Sequence, residues 1–303
     1  MEKIRIQDTE RTIAASRSTM VSVVVNLVLS LLQLFIGIFA KSQALVADAI
    51  HSLSDLISDG IVLLANKHSA KEPDADHPYG HRRFETAATL AVGVILLLVG
   101  TGMLWSSFIK LQNPNLIETV HLIALPVAVL ALISKELLFR YLLGVAKRVR
   151  STMLAANAWH ARSDAASSLV VAVAIVANVM GLPLADPLAA LIVGSMVFRT
   201  GWRFAIGAFN DLMDQAVDDE TEAKIKKLIL ETPGVHGLHD LKTRKLGDMI
   251  WVEVDLEMDG MLTIHEGHDI AESARKRVMD ALPVLDMMTH FDPVQMYREE
   301  KVA

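Results

Sequence analysis

The chain has 303 residues, of which 52% are hydrophobic and 21% charged, with a mean hydropathy of +0.38 and no cysteine. The lack of cysteine excludes disulfide scaffolds, thiolate zinc sites, iron–sulfur clusters and thiol nucleophiles. The formal net charge of −6 is divided unevenly, because residues 209–303 hold 11 Lys and Arg against 21 Asp and Glu. This acidic segment argues against nucleic-acid binding, which requires a basic face, and suits cations.

Long uncharged stretches lie between clusters of charged residues in the first two thirds of the chain. Residues 18–40, 86–109 and 165–185 contain no Asp, Glu, Lys or Arg, and a helix that spans a bilayer needs about 20 predominantly apolar residues. With three further stretches they predict six transmembrane helices, at 14–40, 43–67, 86–109, 118–142, 154–181 and 186–207. The fourth contains Pro126, which membrane helices tolerate. The first 17 residues are polar, so no cleavable signal peptide is predicted.

Basic residues are distributed unequally between the two sides of these spans. Thirteen Lys and Arg fall on one side, whereas the other side has only Lys41 and Lys110. Because cytoplasmic loops carry an excess of basic residues, both termini are predicted in the cytoplasm. On the premise of a bacterial source, the protein is predicted in the cytoplasmic (inner) membrane. Lys135 lies late in the fourth span with Glu136 and Arg140, so we expect this helix to project past the membrane into the cytoplasm.

From about residue 209 the composition becomes that of a soluble domain. Five elements are predicted, in the order helix 218–232, strand 235–245, strand 249–258, helix 263–281 and strand 284–291. The first helix has an acidic start and apolar residues at helical spacing, and Pro233-Gly234 ends it; Gly247-Asp248 is a strong hairpin signal. The order α-β-β-α-β predicts a small ferredoxin-like, metallochaperone-like α+β domain with helices on one face of the sheet. The sequence thus predicts a transmembrane domain over 1–208 and a cytoplasmic domain over 209–303.

Two of the predicted spans carry the same pair of side chains at the same spacing. His51 and Asp55 lie four residues apart in the second span, and His160 and Asp164 in the fifth, so each pair shares one helical face. Two imidazoles and two carboxylates can form a closed tetrahedral zinc site. Each ionisable group at mid-membrane costs about 2.5–3.5 kcal/mol, which the roughly 10–16 kcal/mol of a structural zinc site would offset. The alternative is two buried His–Asp hydrogen bonds that hold the helices together.

Other polar residues near these pairs allow two interpretations each. Asp59 continues the same face one turn toward the cytoplasm, where it lines an access path or forms a local hydrogen bond. Asp48, near the outer end of the span, is interpreted as a hydrogen-bonded interhelical residue rather than a ligand. The loop after the second span offers three ligands, Asp74, His77 and His81; the alternative is an ordinary polar loop.

The acidic C-terminal segment also concentrates histidine. It holds five of the eleven histidines of the chain, namely His236, His239, His265, His268 and His290. Acidic residues accompany them, among them Asp255, Glu266 and Asp292. The run from His265 to His268 superficially resembles the metalloprotease H-E-x-x-H, but the spacing is wrong. No Walker A, G-x-S-x-G or G-x-G-x-x-G motif is present, so nothing indicates hydrolysis of a nucleotide or an ester.

Taken together, these motifs resemble the cation diffusion facilitator family over nearly the whole chain. The matching segments are Ala44-Leu-Val-Ala-Asp-Ala49 with His51 and Asp55, His77-Pro-Tyr-Gly-His81, His160-Ala-Arg-Ser-Asp164, Pro233-Gly-Val235 with His239-Asp240, and His290-Phe-Asp-Pro293. The resemblance implies a homodimeric exporter of a divalent metal, which leaves the cytoplasm in exchange for protons by alternating access. Its partners would be divalent metal ions, protons, the lipid bilayer and a second copy of the chain, with no nucleic acid.

The resemblance also implies a role for individual residues. The transport site would consist of His51, Asp55, His160 and Asp164, and the loop site of Asp74, His77 and His81. Sites in the cytoplasmic domain, which join the two domains of a dimer, would use His239, Asp255, His268, His290 and Asp292. Arg83 and Asp214 would form a salt bridge at the junction of the membrane and cytoplasmic parts.

Zinc is the metal that these residue types favour. Two imidazoles in the transport site suit Zn²⁺ better than the oxygen-preferring Mn²⁺, and the prediction is therefore transported and regulatory Zn²⁺, with Cd²⁺, Fe²⁺ and Co²⁺ left open. Two other classes of function compete. A membrane metalloenzyme would keep three ligands and an open position, and a metal sensor with a membrane anchor would need no charged residues in mid-span. We therefore predict a transporter and not an enzyme.

Overall fold

The structure is a computed structural model. It describes residues 2–69, 71–149 and 152–294, with side chains throughout except at residues 2–16, 62–64, 66–68 and 152–153. The chain divides into two compact units. One comprises Met1–Ile61 and Ala91–Phe204, and the other comprises Val62–Leu90 and Ala205–Ala303.

Six long helices occupy the first two thirds of the chain. They are α1 (Glu2–Phe39), α2 (Gln43–Ser69), α3 (Arg83–Gln112), α4 (Ala124–Val149), α5 (Thr152–Val179) and α6 (Ala185–Leu212). Among the described residues four of them, α1, α3, α5 and α6, are long and apolar enough to cross a membrane. Charged residues interrupt α2 and α4. The predicted α-helical membrane domain with six long helices is confirmed.

The start of α4 differs from the prediction. This helix begins at Ala124 rather than 118, and the preceding segment contains a short 3₁₀ helix, Pro114–Leu116. Pro126 therefore lies in the first turn of α4, where a backbone N–H has no intrahelical acceptor in any case. The proline needs no compensation from neighbouring helices at this position.

The interior of the helical unit is built largely from small side chains. Ala44, Ala124, Ala128 and Ala190 are at most 1% exposed within one cluster of buried residues. Small residues allow helix backbones to approach closely in a bilayer, where apolar burial gives little net attraction between helices. At Gly100 an added Cβ would lie 2.7 Å from the backbone nitrogen of Phe198, so α3 and α6 can meet there only without a side chain.

The second unit contains a small α+β fold, as predicted. Its C-terminal part has the order α7 (Asp219–Leu230), β1 (Gly237–Leu246), β2 (Met249–Met258), α8 (Ile264–Ala281) and β3 (Val284–Pro293). The sheet order is β1-β2-β3, with β1 antiparallel and β3 parallel to β2. Gly247 turns the hairpin between β1 and β2 with a φ of 64°.

Alternation along β2 decides which face of this sheet is covered. Ile250, Val252, Val254 and Leu256 are buried and belong to one apolar cluster. That cluster also contains two residues of α7, Ile225 and Ile229, and three of α8, Ala271, Ala274 and Val278. Both helices therefore pack on one face, and the residues that alternate with these on β2, including Asp255, point to the other face.

The buried face of α7 provides a test of this core. Ile229 is fully buried, whereas its neighbour Leu230 is half exposed. Ile229→Ala should destabilise the α+β part by about 2–5 kcal/mol, because it removes packed methylene groups and leaves a cavity. Leu230→Ala should change its stability by less than about 0.5 kcal/mol. Hydrogen exchange of the β2 amides in the full chain measures both, and equal effects would contradict this assignment of the core.

Candidate metal centre

The His and Asp pairs of α2 and α5 meet inside the helical unit. His51 Nδ1 lies 3.5 Å from Asp55 Oδ2, and His160 Nε2 lies 4.0 Å from Asp55 Oδ2 and 3.9 Å from Asp164 Oδ2. A zinc ion with nitrogen and oxygen ligands at about 2.0–2.2 Å places tetrahedral ligands about 3.3–3.6 Å apart. His51, Asp55 and Asp164 offer ligand atoms that all lie within 4.8 Å of one another, which is close to that spacing. His160 is 58% exposed and lies at the edge of the group, within 4.0 Å of the two carboxylates.

Two buried atoms of this group lack a hydrogen-bond partner. His51 Nδ1 and Asp55 Oδ2 are both buried, and neither has a partner among the described residues. A buried polar atom without a partner costs about 1–3 kcal/mol. The hydrogen bond between His51 and Asp55 that the structural alternative requires is not formed. A cation held between the two atoms would satisfy both.

A small polar cavity of about 50 Å³ adjoins these side chains. Its polar lining comes from three helices and consists of Thr19, Ser22 and Asn26 on α1, Ser52, Asp55 and Asp59 on α2, and Asn157, His160 and Asp164 on α5. The volume exceeds the roughly 30 Å³ that one water molecule occupies in the liquid. Asp59 thus lines the same cavity as Asp55, His160 and Asp164.

Asp48 and Lys135 form a buried ion pair that the sequence analysis missed. Asp48 accepts hydrogen bonds from side chains of three other helices, which confirms its interpretation as an interhelical hydrogen-bonding residue. The expectation that α4 projects past the membrane into the cytoplasm stays a prediction, but Lys135 itself does not lie on an exposed part of the helix. Lys135 is 1% exposed, because its ammonium group finds a carboxylate and two hydroxyl groups inside the helical unit.

The loop between α2 and α3 brings its three predicted ligands together. His77 Nδ1 lies 3.3 Å from Asp74 Oδ1, and His81 Nε2 lies 3.3 Å from Asp74 Oδ2. The His77 and His81 rings are 4.4 Å apart. Two turns order the loop, since Asp74 accepts hydrogen bonds from the backbone N–H groups of Asp76 and His77. The loop therefore presents two imidazoles and one carboxylate to a single point.

Four of the five predicted ligands in the α+β part meet on the open face of the sheet. His239 Nδ1 lies 3.7 Å from Asp255 Oδ2, His239 Nε2 lies 3.1 Å from Asp292 Oδ2, and His290 Nε2 lies 3.6 Å from Asp292 Oδ1. Strand register explains this, because Asp255 is opposite His239 on β1 and opposite His290 on β3.

His268 and Asp240 depart from the predicted group. His268 is exposed on α8, on the covered side of the sheet, and within the described chain it forms no ion pair with the other four. Asp240 joins the group instead, with Oδ2 3.8 Å from His239 Nδ1. An irregularity in β1 between His239 and Lys242 turns this residue into a positive φ of 48°, which an alternating strand pattern does not reveal.

Arginine–carboxylate pairs connect the start of α3 with the α+β part of the same unit. Arg83 Nη2 contacts Asp214 Oδ1, and Arg82 Nη1 lies 3.1 Å from Asp248 Oδ1 in the β1–β2 hairpin. The Arg83–Asp214 pair is about half exposed on both sides, so we assign it little stability on its own. The ring of Tyr79 adds an edge-on contact with Trp251 at 5.7 Å.

Comparison with known proteins identifies two matching families along the chain. Residues 19–213 match the cation efflux transmembrane domain, and residues 217–294 match the cytoplasmic domain of cation efflux proteins. Metal tolerance protein 2 of Oryza sativa subsp. japonica is 31% identical over 93% of this chain and 79% of its own length. The manganese efflux system protein MneS of Bacillus subtilis is 33% identical over 91% of this chain and 94% of its own. The magnetosome protein MamB of Magnetospirillum gryphiswaldense is 32% identical over 85% and 86%.

The loop cluster generates a prediction about pH. The backbone N–H of His77, followed by the His77 side chain and the charge of His81, holds the pKa of Asp74 below its usual value. A lowered folded-state pKa means that the ionised carboxylate stabilises the loop above the usual Asp pKa, and that this contribution disappears as the pH falls through the lowered pKa.

The acidic transition of the His77 amide resonance, followed by NMR in micelles, should therefore have its midpoint below the usual Asp range. Asp74→Asn should abolish this transition, whereas Asp76→Asn should keep it, because only the backbone of Asp76 bonds to Asp74. A midpoint at or above the usual Asp pKa would contradict the hydrogen bonding described for this loop.

Proposed function

The chain belongs to the cation diffusion facilitator family, and on that premise we propose that it exports Zn²⁺ from the cytoplasm in exchange for protons. Members of this family are divalent metal efflux transporters. The chain is accordingly an integral membrane transporter of divalent cations rather than an enzyme. Beyond family membership, we propose the identity of the metal, its exchange for protons, the residues of the sites and the homodimeric assembly.

The geometry of the α2–α5 quartet supports zinc as the transported ion. His51, Asp55 and Asp164 place ligand atoms within 4.8 Å of one another, and His160 lies within 4.0 Å of both carboxylates. His51 Nδ1 and Asp55 Oδ2 form no hydrogen bond among the described residues. Zinc accepts this closed arrangement of two nitrogen and two oxygen ligands. We assign the transport site to His51, Asp55, His160 and Asp164 on this observation.

Manganese is the second candidate. MneS, a relative of similar length, is a manganese efflux protein by name, and the cavity beside the quartet offers further oxygen ligands from Asn26, Asp59 and Asn157. Mn²⁺ prefers oxygen ligands and higher coordination numbers than the quartet alone provides. Zinc is favoured because half of the quartet consists of imidazole nitrogen.

Proton exchange follows from the chemistry of the same ligands. A metal displaces protons from imidazole and carboxylate groups as it binds, since only deprotonated ligands coordinate it. In our proposal Zn²⁺ enters from the cytoplasm past Asp59, and α2 and α5 then move to open the site outward. Protons from outside the cell reload His51 and His160 and release the metal, because imidazole titrates near physiological pH.

The other two clusters are proposed to bind regulatory zinc. The loop site comprises Asp74, His77 and His81, and the site on the α+β part comprises His239, Asp255, His290 and Asp292. His268 lies apart from these four within one chain, so we assign it to the site of a second copy in a homodimer. We place both termini in the cytoplasm, as the distribution of basic residues predicts, and the protein in the inner membrane on the premise of a bacterial source.

Zinc flux into proteoliposomes under an imposed pH gradient tests the transport site. Wild-type protein should transport Zn²⁺, and Asp164→Ala should reduce the flux by more than about 100-fold, since losing even an outer partner of a metal ligand costs about 10–100-fold. Glu118→Ala is the matched control, because this exposed carboxylate pairs with Lys41 at the surface. Gradient-driven flux in the Asp164 variant at the control level would refute the assignment.

Replacing both histidines with aspartate tests the metal and the proton carriers together. The variant with His51→Asp and His160→Asp should transport Mn²⁺ in preference to Zn²⁺, since four carboxylates favour harder ions. Its zinc–proton stoichiometry should also change, because the imidazole protons are gone. Competition flux assays and proton release per metal ion measure the two effects. An unaltered stoichiometry would show that other groups carry the protons.

A further inference from the structure

Asp48 on α2 is the centre of a hydrogen-bond network that reaches four helices. It is fully buried, and its carboxylate accepts hydrogen bonds from Gln33 Nε2 on α1 at 2.6 Å, Lys135 Nζ on α4 at 3.2 Å and Ser168 Oγ on α5 at 2.7 Å. Ser167 Oγ also donates a hydrogen bond, at 2.9 Å, to the second carboxylate oxygen of Asp48. A buried carboxylate with this many donors is held in one position.

Lys135 uses all three of its ammonium protons in this network. Besides Asp48, its Nζ donates to Ser52 Oγ on α2 at 3.1 Å and to Ser168 Oγ on α5 at 2.8 Å. A single side chain of α4 therefore bonds to both of the helices that carry the proposed transport site. Asp48 neutralises the charge of Lys135, and this pairing offsets the free-energy cost of burying an ammonium group in the apolar helical unit.

The residues that this network holds lie within one helical turn of the proposed ligands. Ser52 follows His51 directly, and Ser168 lies four residues after Asp164. Ser167 Oγ is also 2.8 Å from the backbone carbonyl oxygen of Asp164, so its proton can be donated to that oxygen or to Asp48. Displacement of the network on either helix would move a metal ligand of that helix.

We propose that Lys135 is a positioning residue of the transporter, which ties α2 to α5 through Asp48, Ser52 and Ser168. This hydrogen-bonded connection sets the separation of the His51–Asp55 pair from the His160–Asp164 pair. It thereby makes the site selective for a small ion with tetrahedral coordination. This inference rests on the proposed transport site. It extends that proposal, since neither Lys135 nor the serines contact the metal.

Two double variants test whether the hydrogen bonds of Lys135 position the metal ligands of α2 and α5. Lys135→Met combined with Asp48→Asn removes both charges, which avoids the uncompensated buried charge that either change alone would leave. Ser52→Ala combined with Ser168→Ala removes two neutral hydrogen bonds and keeps the ion pair.

Lys147→Met is the control on the same helix as Lys135, because Lys147 is exposed. All variants, and the wild-type reference, also carry His77→Ala and His239→Ala, which disable the other two proposed zinc clusters. Calorimetric titration of the purified full chain with Zn²⁺ and, separately, Mn²⁺ then gives the two dissociation constants of the transport site.

Both double variants should weaken zinc binding by at least tenfold and manganese binding by less, so that the preference for zinc falls, while Lys147→Met matches the wild type. The KM for zinc in the flux assay should rise in the same proportion. Wild-type zinc affinity and selectivity in a folded variant would overturn the proposal, because the pair would then only hold helices together. If the charge-free variant does not fold, the serine variant decides by the same criterion. A wild-type chain that binds no zinc would instead refute the proposed function itself.

Discussion

A charged group inside an apolar helical bundle needs an opposite charge or hydrogen-bond donors to offset the cost of its burial. This constraint explains the buried polar contacts of the helical unit. An ionisable side chain at mid-membrane costs about 2.5–3.5 kcal/mol, yet α2 alone has Asp48 and Asp55 facing inward. Asp48 is compensated within the protein by Lys135 and three further donors. Asp55 Oδ2 accepts no hydrogen bond from the described residues; the imidazoles of His51 and His160 lie 3.5 and 4.0 Å from it and are charged only when protonated.

The two carboxylates of α2, Asp48 and Asp55, have different surroundings. Asp48 belongs to a hydrogen-bond network that joins four helices, whereas Asp55 faces a small polar cavity with His160 and Asp164. Leaving the charge of Asp55 to be balanced by a passing metal ion or by protons is what our proposal for metal–proton exchange requires.

The α+β part carries the same ligand types, His and Asp, on the open face of a sheet instead of between buried helices. Here the alternation of a strand separates an apolar face, covered by α7 and α8, from a polar face that is free to carry ligands. Cross-strand register then places His239, Asp255 and His290 side by side without any buried charge. Ligands on an exposed sheet cost little to maintain, which suits a site that we propose to be regulatory rather than transporting.

Periodicity and composition alone determined the long helices, the α-β-β-α-β order and the position of the hairpin, because these depend on local patterns of apolar residues. The equal spacing of the two His–Asp pairs also identified the quartet, since side chains four residues apart must share a helical face. Only the tertiary structure decided that Lys135 is buried against Asp48, that Asp240 joins His239 and that His268 lies apart. Those outcomes depend on which helices and strands become neighbours and on one irregularity in a strand, and no pattern within a single element carries that information.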